Sequence, residues 1–389
     1  MKILFEANSI VPNKSGGIEY FLYSLVKAWA LEYPEDEIML HIPPNTHQEY
    51  IKNVGECCFV VDPFYRFIYD VIDSKWIGRV ITSRLRKFKL LRYCLTGMRK
   101  GWIKIIDKTV DVVIYPFQRE LFCHEPGKVI FIMHDFRMFD MPGGDQITMA
   151  NQISAITKSA FVVVSWPFPF ARLNEKFPDN SDRYFKIPFL YNSMDLKIEK
   201  NSVGDFLYYP TGMAKHKNHI NLIKALYLFN NCTSRKRLKI IFTGPEINEL
   251  KNELIKLIAE LNMGEVVSFL GFVSRETVFN LYKNCYAVIT PTLYEAFSGT
   301  ILEAFRFEKP VLCSHIPAHE YFCKEYDLNI AMFDPFKPDD IAKSIEQLTQ
   351  NYEYYEQLSI KGKNRLNFIT PEYTSKAYHD LAEKIIAHS

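Results

Sequence analysis

The stretch that most constrains what this chain can fold into is residues 287–320, AVITPTLYEAFSGTILEAFRFEKPVLCSHIPAHE. An apolar, β-branched run from Ala287 to Thr290 stops at Pro291, the pattern of a buried parallel strand. A short polar loop then holds Glu295, Ser298, Gly299 and Thr300. Ile301 to Glu308 predicts a helix, and Pro310 opens a second apolar strand, PVLCS. Strand, small-residue loop, helix and strand make one βαβ unit. Its loop lies at the carboxyl end of a strand and the amino end of a helix, where unpaired N–H groups and the helix dipole favour a phosphate. Two carboxylates, Glu295 and Glu303, flank those N–H groups. A ligand with phosphate in its middle and hydroxyl-rich groups at both ends fits, and a nucleotide sugar has that shape. Plainer readings exist for the same residues. Thr300 and Glu303 fit a capping box, in which Glu303 only bonds back to the backbone, and Glu295 fits a solvated loop position.

At 389 residues the chain has room for two domains, each with its own core. It is 48% hydrophobic and 24% charged, which excludes a disordered chain, and a net charge of +2 leaves any attraction to anions to local patches. The eight cysteines form no C-x-x-C pair and no zinc spacing; several fall in apolar runs, so buried thiols in a reducing cytosol are expected. The start lacks the long apolar region of a signal peptide, and no apolar run reaches the length of a membrane span. A cytoplasmic protein is expected. Strand-like runs at Lys2 to Ala7, Glu37 to Ile42, Cys58 to Val61, Val110 to Tyr115, Lys128 to Met133 and Phe161 to Ser165 alternate with helical patterns. The first half therefore predicts a doubly wound α/β domain. A second series follows: FLYYPTG (206–212), LKIIFTG (238–244), VVSFLGFV (266–273) with the helix SRETVFNLYKNC (274–285), and the 287–320 unit itself.

The 287–320 stretch resembles the family 4 (group 1) retaining glycosyltransferases of the GT-B fold, whose motif reads P-S-x-x-E-G-F-G-x-x-x-L-E-A. Pro291, Glu295, Phe297, Leu302, Glu303 and Ala304 match it. Ala296 and Ser298 stand where that family has glycines, with Gly299 one place later. The resemblance implies two Rossmann-like domains facing across a cleft: an acceptor-side domain at 1–195, a linker at 196–205, a nucleotide-sugar domain at 206–370, and a helix over 371–389 crossing back to the first. It implies that Glu303 holds the ribose hydroxyls and Glu295 the donor sugar. Lys217 matches the lysine that neutralises the diphosphate; Lys215 stands near the place of the family's arginine, as a point charge without its fork. Phe297, Ser298, Gly299 and Thr300 would offer backbone to the phosphates. Gly244 and the turn of Phe272 and Val273 would line the nucleotide pocket. Gly16 and Gly17 would lie near the donor phosphates or the acceptor, and His134, at the end of the strand VIFIMHD, would bond the transferred sugar. No metal and no cofactor are implied.

The function expected is transfer of a hexose from a GDP- or UDP-sugar to a glycan, with a lipid-linked acceptor in bacterial surface polysaccharide or lipopolysaccharide assembly. The alternatives are an inactive, membrane-associated GT-B subunit, a nucleotide-sugar epimerase, a sugar phosphorylase, or a glycoside hydrolase using the two glutamates. Residues 75–104 bear on the acceptor. They hold ten Lys or Arg and no Asp or Glu, with Ile77, Ile81, Leu85, Phe88, Leu91 and Leu95 at helical spacing. Such a helix either lies on an anionic membrane at the inner face of the plasma membrane or packs its stripe on its own domain. Aromatic residues interleave these charges, but there is no nucleic-acid-binding motif.

Overall fold

The computed structural model describes residues 1–12, 17–61, 108–118, 121, 123, 125–141, 143, 145–189, 203–232 and 237–388. The chain divides into two compact units, Met1–Ser193 with Ile369–Ser389, and Met194–Phe368. The basic segment 75–104, Gly16 and most of the 196–205 linker lie outside the described residues.

The first unit holds a parallel sheet of seven strands: β1 (Lys2–Glu6), β2 (Glu37–Ile42), β3 (Cys58–Val61), β4 (Val112–Tyr115), β5 (Val129–Ile132), β6 (Phe161–Val164) and β7 (Tyr184–Lys186). Their order is β3-β2-β1-β4-β5-β6-β7. The strands are short apolar runs because both faces are covered, as parallel sheets require. Alternation sorts the side chains. Ile3 and Phe5 face one core with Leu40, Ile114 and Ile132, and α1 (Gly17–Glu32) closes it with Leu22, Leu25, Val26 and Trp29. Leu4 joins Val113, Phe131 and Val162 on the other face. There α2 (Gln146–Lys158) contributes Ala155 and Ile156.

The second unit repeats the plan with six parallel strands: β8 (Phe206–Pro210), β9 (Lys239–Thr243), β10 (Val267–Phe269), β11 (Ala287–Thr290), β12 (Val311–Ser314) and β13 (Ala331–Phe333). The order β10-β9-β8-β11-β12-β13 reverses between β8 and β11. Seven helices concern us here: α3 (His219–Cys232), α4 (Arg275–Asn284), α5 (Gly299–Arg306), α6 (Pro317–Tyr326), α7 (Pro338–Gln350), α8 (Tyr352–Leu366) and, in the first unit, α9 (Pro371–Ala387).

Two boundaries and the burial of the cysteines differ from expectation. The helix expected over Ile301 to Glu308 runs from Gly299 to Arg306, because Glu308 takes a left-handed φ of 54° and ends it. The run 266–273 is a strand only over Val267–Phe269, since Gly271 turns the chain at φ 64°. The described cysteines are free thiols, but only Cys285 and Cys313 are fully buried; Cys58 and Cys232 are exposed, at the edge of a sheet and the end of a helix. Among the described residues no helix is long and apolar enough to cross a membrane.

Candidate active site

In an open α/β sheet, ligands bind beyond the carboxyl ends of the strands where the strand order reverses. In the second unit that point lies past β8 and β11, and the loops after these strands carry Lys215, Lys217 and Glu295. A set of side-chain and backbone bonds fixes these loops. After β8 the chain makes a 3₁₀ turn over Lys215–Lys217 and then a left-handed Asn218, φ 60°. The buried amide of Asn218 donates to the carbonyls of Pro291 (2.9 Å) and Pro335 (2.7 Å), joining the loops after β8, β11 and β13. The carbonyl of His216 accepts from Leu293 N (2.7 Å) and from the hydroxyl of Thr292 (3.1 Å). The lysine turn is thereby stapled to the glutamate loop. Lys217 Nζ pairs with Glu295 Oε1, with side-chain exposures of 19% and 16%. Lys215 is exposed and stands outside this pair.

The helix that follows, α5, is capped by Ser298, whose side chain makes no bond to the first-turn backbone N–H groups. Its hydroxyl instead approaches Thr290 (3.3 Å) and Thr300 (3.4 Å). Thr300 is therefore inside the helix, and the capping-box reading of Glu303 fails. Nothing from a capping side chain competes for the first-turn N–H groups, which suits an anion. Phe297 turns its ring onto Phe322 of α6 (4.7 Å), so its side chain anchors the loop and only its backbone is left for a ligand.

Glu303 has a different partner. Arg275, the first residue of α4, brings Nη2 to 2.9 Å from Glu303 Oε1 and lays its guanidinium over Phe279, 4.5 Å from the ring centroid. Burial and the neighbouring Glu303 carboxylate push the Tyr282 hydroxyl far up from its ordinary pKa. Behind it Tyr208 meets Tyr282 edge-on (5.0 Å) and bonds Thr243 (2.8 Å). Gly244 follows directly, at φ 128°, where a Cβ would lie 2.7 Å from the Thr211 carbonyl; glycine is required both by the conformation and by the close approach. Its N–H donates to Gly271 O (2.8 Å), and Phe272 beyond is 74% exposed. Val273 is half-buried.

Two buried histidines underlie the region. His319 is fully buried, its Nδ1 bonded to Ser314 O (2.7 Å), and burial lowers its pKa to about 4, with the charge of Lys217 a lesser contribution. His219, packed against Tyr209 and Phe242, is likewise lowered to about 4, chiefly by burial. Both are neutral at pH 7.

In the first unit the corresponding reversal lies between β1 and β4. Gly17 opens α1 there and is exposed. Gln118, in the loop after β4, accepts from the backbone N–H of Asp135 (2.9 Å) and fixes the turn after β5. His134 Nε2 donates to the carbonyl of Pro116 (2.7 Å), which leaves Nδ1 as an acceptor. Burial lowers its pKa, so the ring is neutral.

The sequence reading missed Arg275, Asn218, Thr292 and Gln118. Two of them left a trace. A cation at a helix N-terminus opposes the dipole, and an Asn between a lysine turn and a helix suits a left-handed residue.

Residues 195–365 match the family described as Glycosyl transferases group 1. That stretch belongs to this family. Among curated proteins, the chain is similar to the N-acetylgalactosamine-N,N'-diacetylbacillosaminyl-diphospho-undecaprenol 4-alpha-N-acetylgalactosaminyltransferase of Campylobacter jejuni, 29% identical over 33% of this chain and 35% of that protein. The O-antigen chain mannosyltransferase C of Escherichia coli is 22% identical over 51% of this chain and 54% of that protein. The chain spans about a third to a half of the length of the curated relatives it matches. Among solved structures it is similar to Anabaena Alr3699/HepE in complex with UDP and glucose, with a TM-score of 0.70 and 15% identity, covering 99% of this chain and 100% of that one. The fold is GT-B.

Proposed function

We propose that this chain is a retaining, metal-independent hexosyltransferase that moves a hexose from a GDP- or UDP-sugar to a lipid-linked glycan acceptor. The observation that carries this reading is the Lys217–Glu295 pair beside the first turn of α5, at the strand-order reversal. Breaking the bond between sugar and phosphate develops negative charge on the departing diphosphate and positive charge on the ring. The diphosphate would take the Lys217 ammonium from Glu295, and the N–H groups of α5 would share the developing charge. Glu295, released, would accept from hydroxyls of the donor sugar. Glu303 would accept from the ribose hydroxyls, and His134 Nδ1 from a sugar hydroxyl. A diphosphate oxygen would take the acceptor's proton on the face that the leaving group vacates.

Two observations support a transferase over a glycoside hydrolase. Glu295 and Glu303 each face a cation, whereas a hydrolase needs one carboxyl as the proton donor and has no use for a lysine at a diphosphate position. The names of the Campylobacter and Escherichia relatives describe sugar transfer, and the former carries a diphospho-undecaprenol acceptor. The name of the Escherichia relative refers to the O-antigen chain, which supports a setting in surface-polysaccharide assembly, and a peripheral place at the inner face of the plasma membrane would follow. The test is a panel of GDP- and UDP-sugars with a polyprenyl-diphosphate sugar acceptor, read by product mass. One donor should add a single hexose. If no donor reacts and no nucleotide raises the melting temperature, the chain is an inactive subunit instead.

A further inference from the structure

From the contact between Arg275 and Glu303 we infer that Arg275 is a positioning residue, which holds Glu303 in the conformation that grips the donor's ribose. The inference rests on the reading of Glu303 as the ribose-binding carboxylate.

Arg275, Phe279 and Tyr282 are spaced i, i+4 and i+7, and so share one face of α4. That face meshes with α5 and the residue after it. Tyr282 stacks on Phe307 (5.3 Å, 8° between planes), and Phe279 lies 5.5 Å from the same ring. Glu303 and Phe307 are one turn apart, so Arg275–Glu303 is the end rung of the same ladder. The aromatic rungs fix the spacing of the two helices, and Phe279 also supports the guanidinium from one face. Arg275 thus reaches Glu303 from a rigid base.

Its position argues for a function. The first turn of a helix favours acidic side chains, and Ser274 already caps α4 by accepting from Thr277 N (3.1 Å). An arginine there opposes the dipole of that helix. Local rules are broken most often where a site needs it. The ion pair holds Glu303 at Oε1 without filling the acceptor capacity of the carboxylate, which the hydroxyls of a ribose cis-diol can use. Free Glu side chains sample many rotamers, and a carboxylate that must be ordered on binding gives up part of what its hydrogen bonds contribute. Arg275 removes that loss in advance.

The experiment compares binding of UDP and GDP, each beside its 2′,3′-dideoxy analogue, by calorimetry. The wild-type protein should prefer the ribose form about ten- to a hundredfold, as expected for hydroxyl bonds to a charged acceptor. Glu303→Ala should bring that ratio to near one. Arg275→Met should lower the ratio to a few-fold while leaving the dideoxy affinity and the melting temperature near wild type, and Arg275→Lys should restore part of it. The inference is overturned if Arg275→Met keeps the wild-type ratio while Glu303→Ala loses it. An equal weakening of both forms overturns it too, because Arg275 would then touch the phosphates or merely hold the fold. A ratio retained in Glu303→Ala, or no binding by either nucleotide pair, overturns the ribose reading itself.

Discussion

On the proposed reading, Lys217 is the residue on which donor binding should depend most. It is partly buried, paired, and held by a turn that Asn218 and the His216 carbonyl fix in place. Removing its charge leaves a diphosphate without its cation: Lys217→Met should weaken nucleoside diphosphate binding about ten- to a hundredfold, measured by calorimetry. Exposed Lys215 serves as the control, and Lys215→Met should cost little, since screened surface charges contribute up to about 1 kcal/mol. Equal losses would mean that the pairing with Glu295 does not mark the diphosphate site. Glu295→Gln should lower kcat much more than affinity, because its proposed partner is the reacting sugar. The buried histidines make a separate prediction. His219 and His319 have folded pKa values of about 4 against about 6.5 when unfolded. Above pH 6.5 both states are neutral and stability is unaffected. As pH falls from 6.5 to 4 only the unfolded chain takes up the protons, so stability drops, by about 3 kcal/mol per histidine at the limit. His219→Phe, which can keep the packing on Tyr209 and Phe242, should flatten the dependence of melting temperature on pH in that window; an unchanged slope would contradict the assignment. That the glutamates, the lysine and His134 stand near strand and helix ends could be read in the sequence, whereas the roles proposed for them come from the resemblance of the surrounding motifs. Arg275 was not legible there, because its meaning lies in a carboxylate 28 positions later that only the packing of α4 on α5 brings near.

At the scale of elements, the strands were legible to within about two residues except for the run 266–273, since a parallel strand buried on both faces is an apolar run. Helix ends were less so. α5 begins two residues before its apolar periodicity, where Gly299 and Thr300 give no hydrophobic signal, and stops at a left-handed Glu308 that no residue preference announces. How α5 is held was not legible at all. Gly362 of α8 lies against Phe305, and a Cβ there would come to 2.7 Å from the buried ring. Two effects compete in Gly362→Ala. Helix propensity favours alanine by about 1 kcal/mol, while forcing a methyl group into a packed core costs about 1–3 kcal/mol. The ring is enclosed and has little room to move, so packing should win with a net loss of about 1 kcal/mol in urea denaturation. Nucleotide affinity should fall as well, since α5 carries Glu303 and the turn proposed to bind the phosphates. A gain in stability would show that α5 and α8 are not in close contact.

At the scale of the molecule, the first unit is built from two distant pieces of chain. Its core includes Tyr378, Leu381, Ala382 and Ile385 of α9, packed with Leu22, Val26 and Trp29 of α1. The hydroxyl of Thr374 donates to Pro188 O (3.0 Å) across 186 positions, and His379 stacks on Tyr33 at 3.5 Å. No local pattern in the first 193 residues reveals that this core is unfinished without the last helix. Each large apolar side chain of α9 contributes about 1.5–3 kcal/mol by burial, so Tyr378, Leu381 and Ile385 together reach roughly the whole stability of an ordinary domain. A chain ending at Phe368 should therefore lose the first unit and keep the second. In hydrogen exchange, β1, β2 and β4 should exchange at the rate of an unfolded chain, while β8 and β11 stay protected and Lys217, Glu295 and Glu303 still bind a nucleoside diphosphate. Sugar transfer should vanish, because His134 and the remainder of the first unit are lost with their core. Protection of β1 in the shortened chain would mean that α9 only covers a core already complete. Loss of nucleotide binding along with it would mean that the second unit does not hold the donor site unaided.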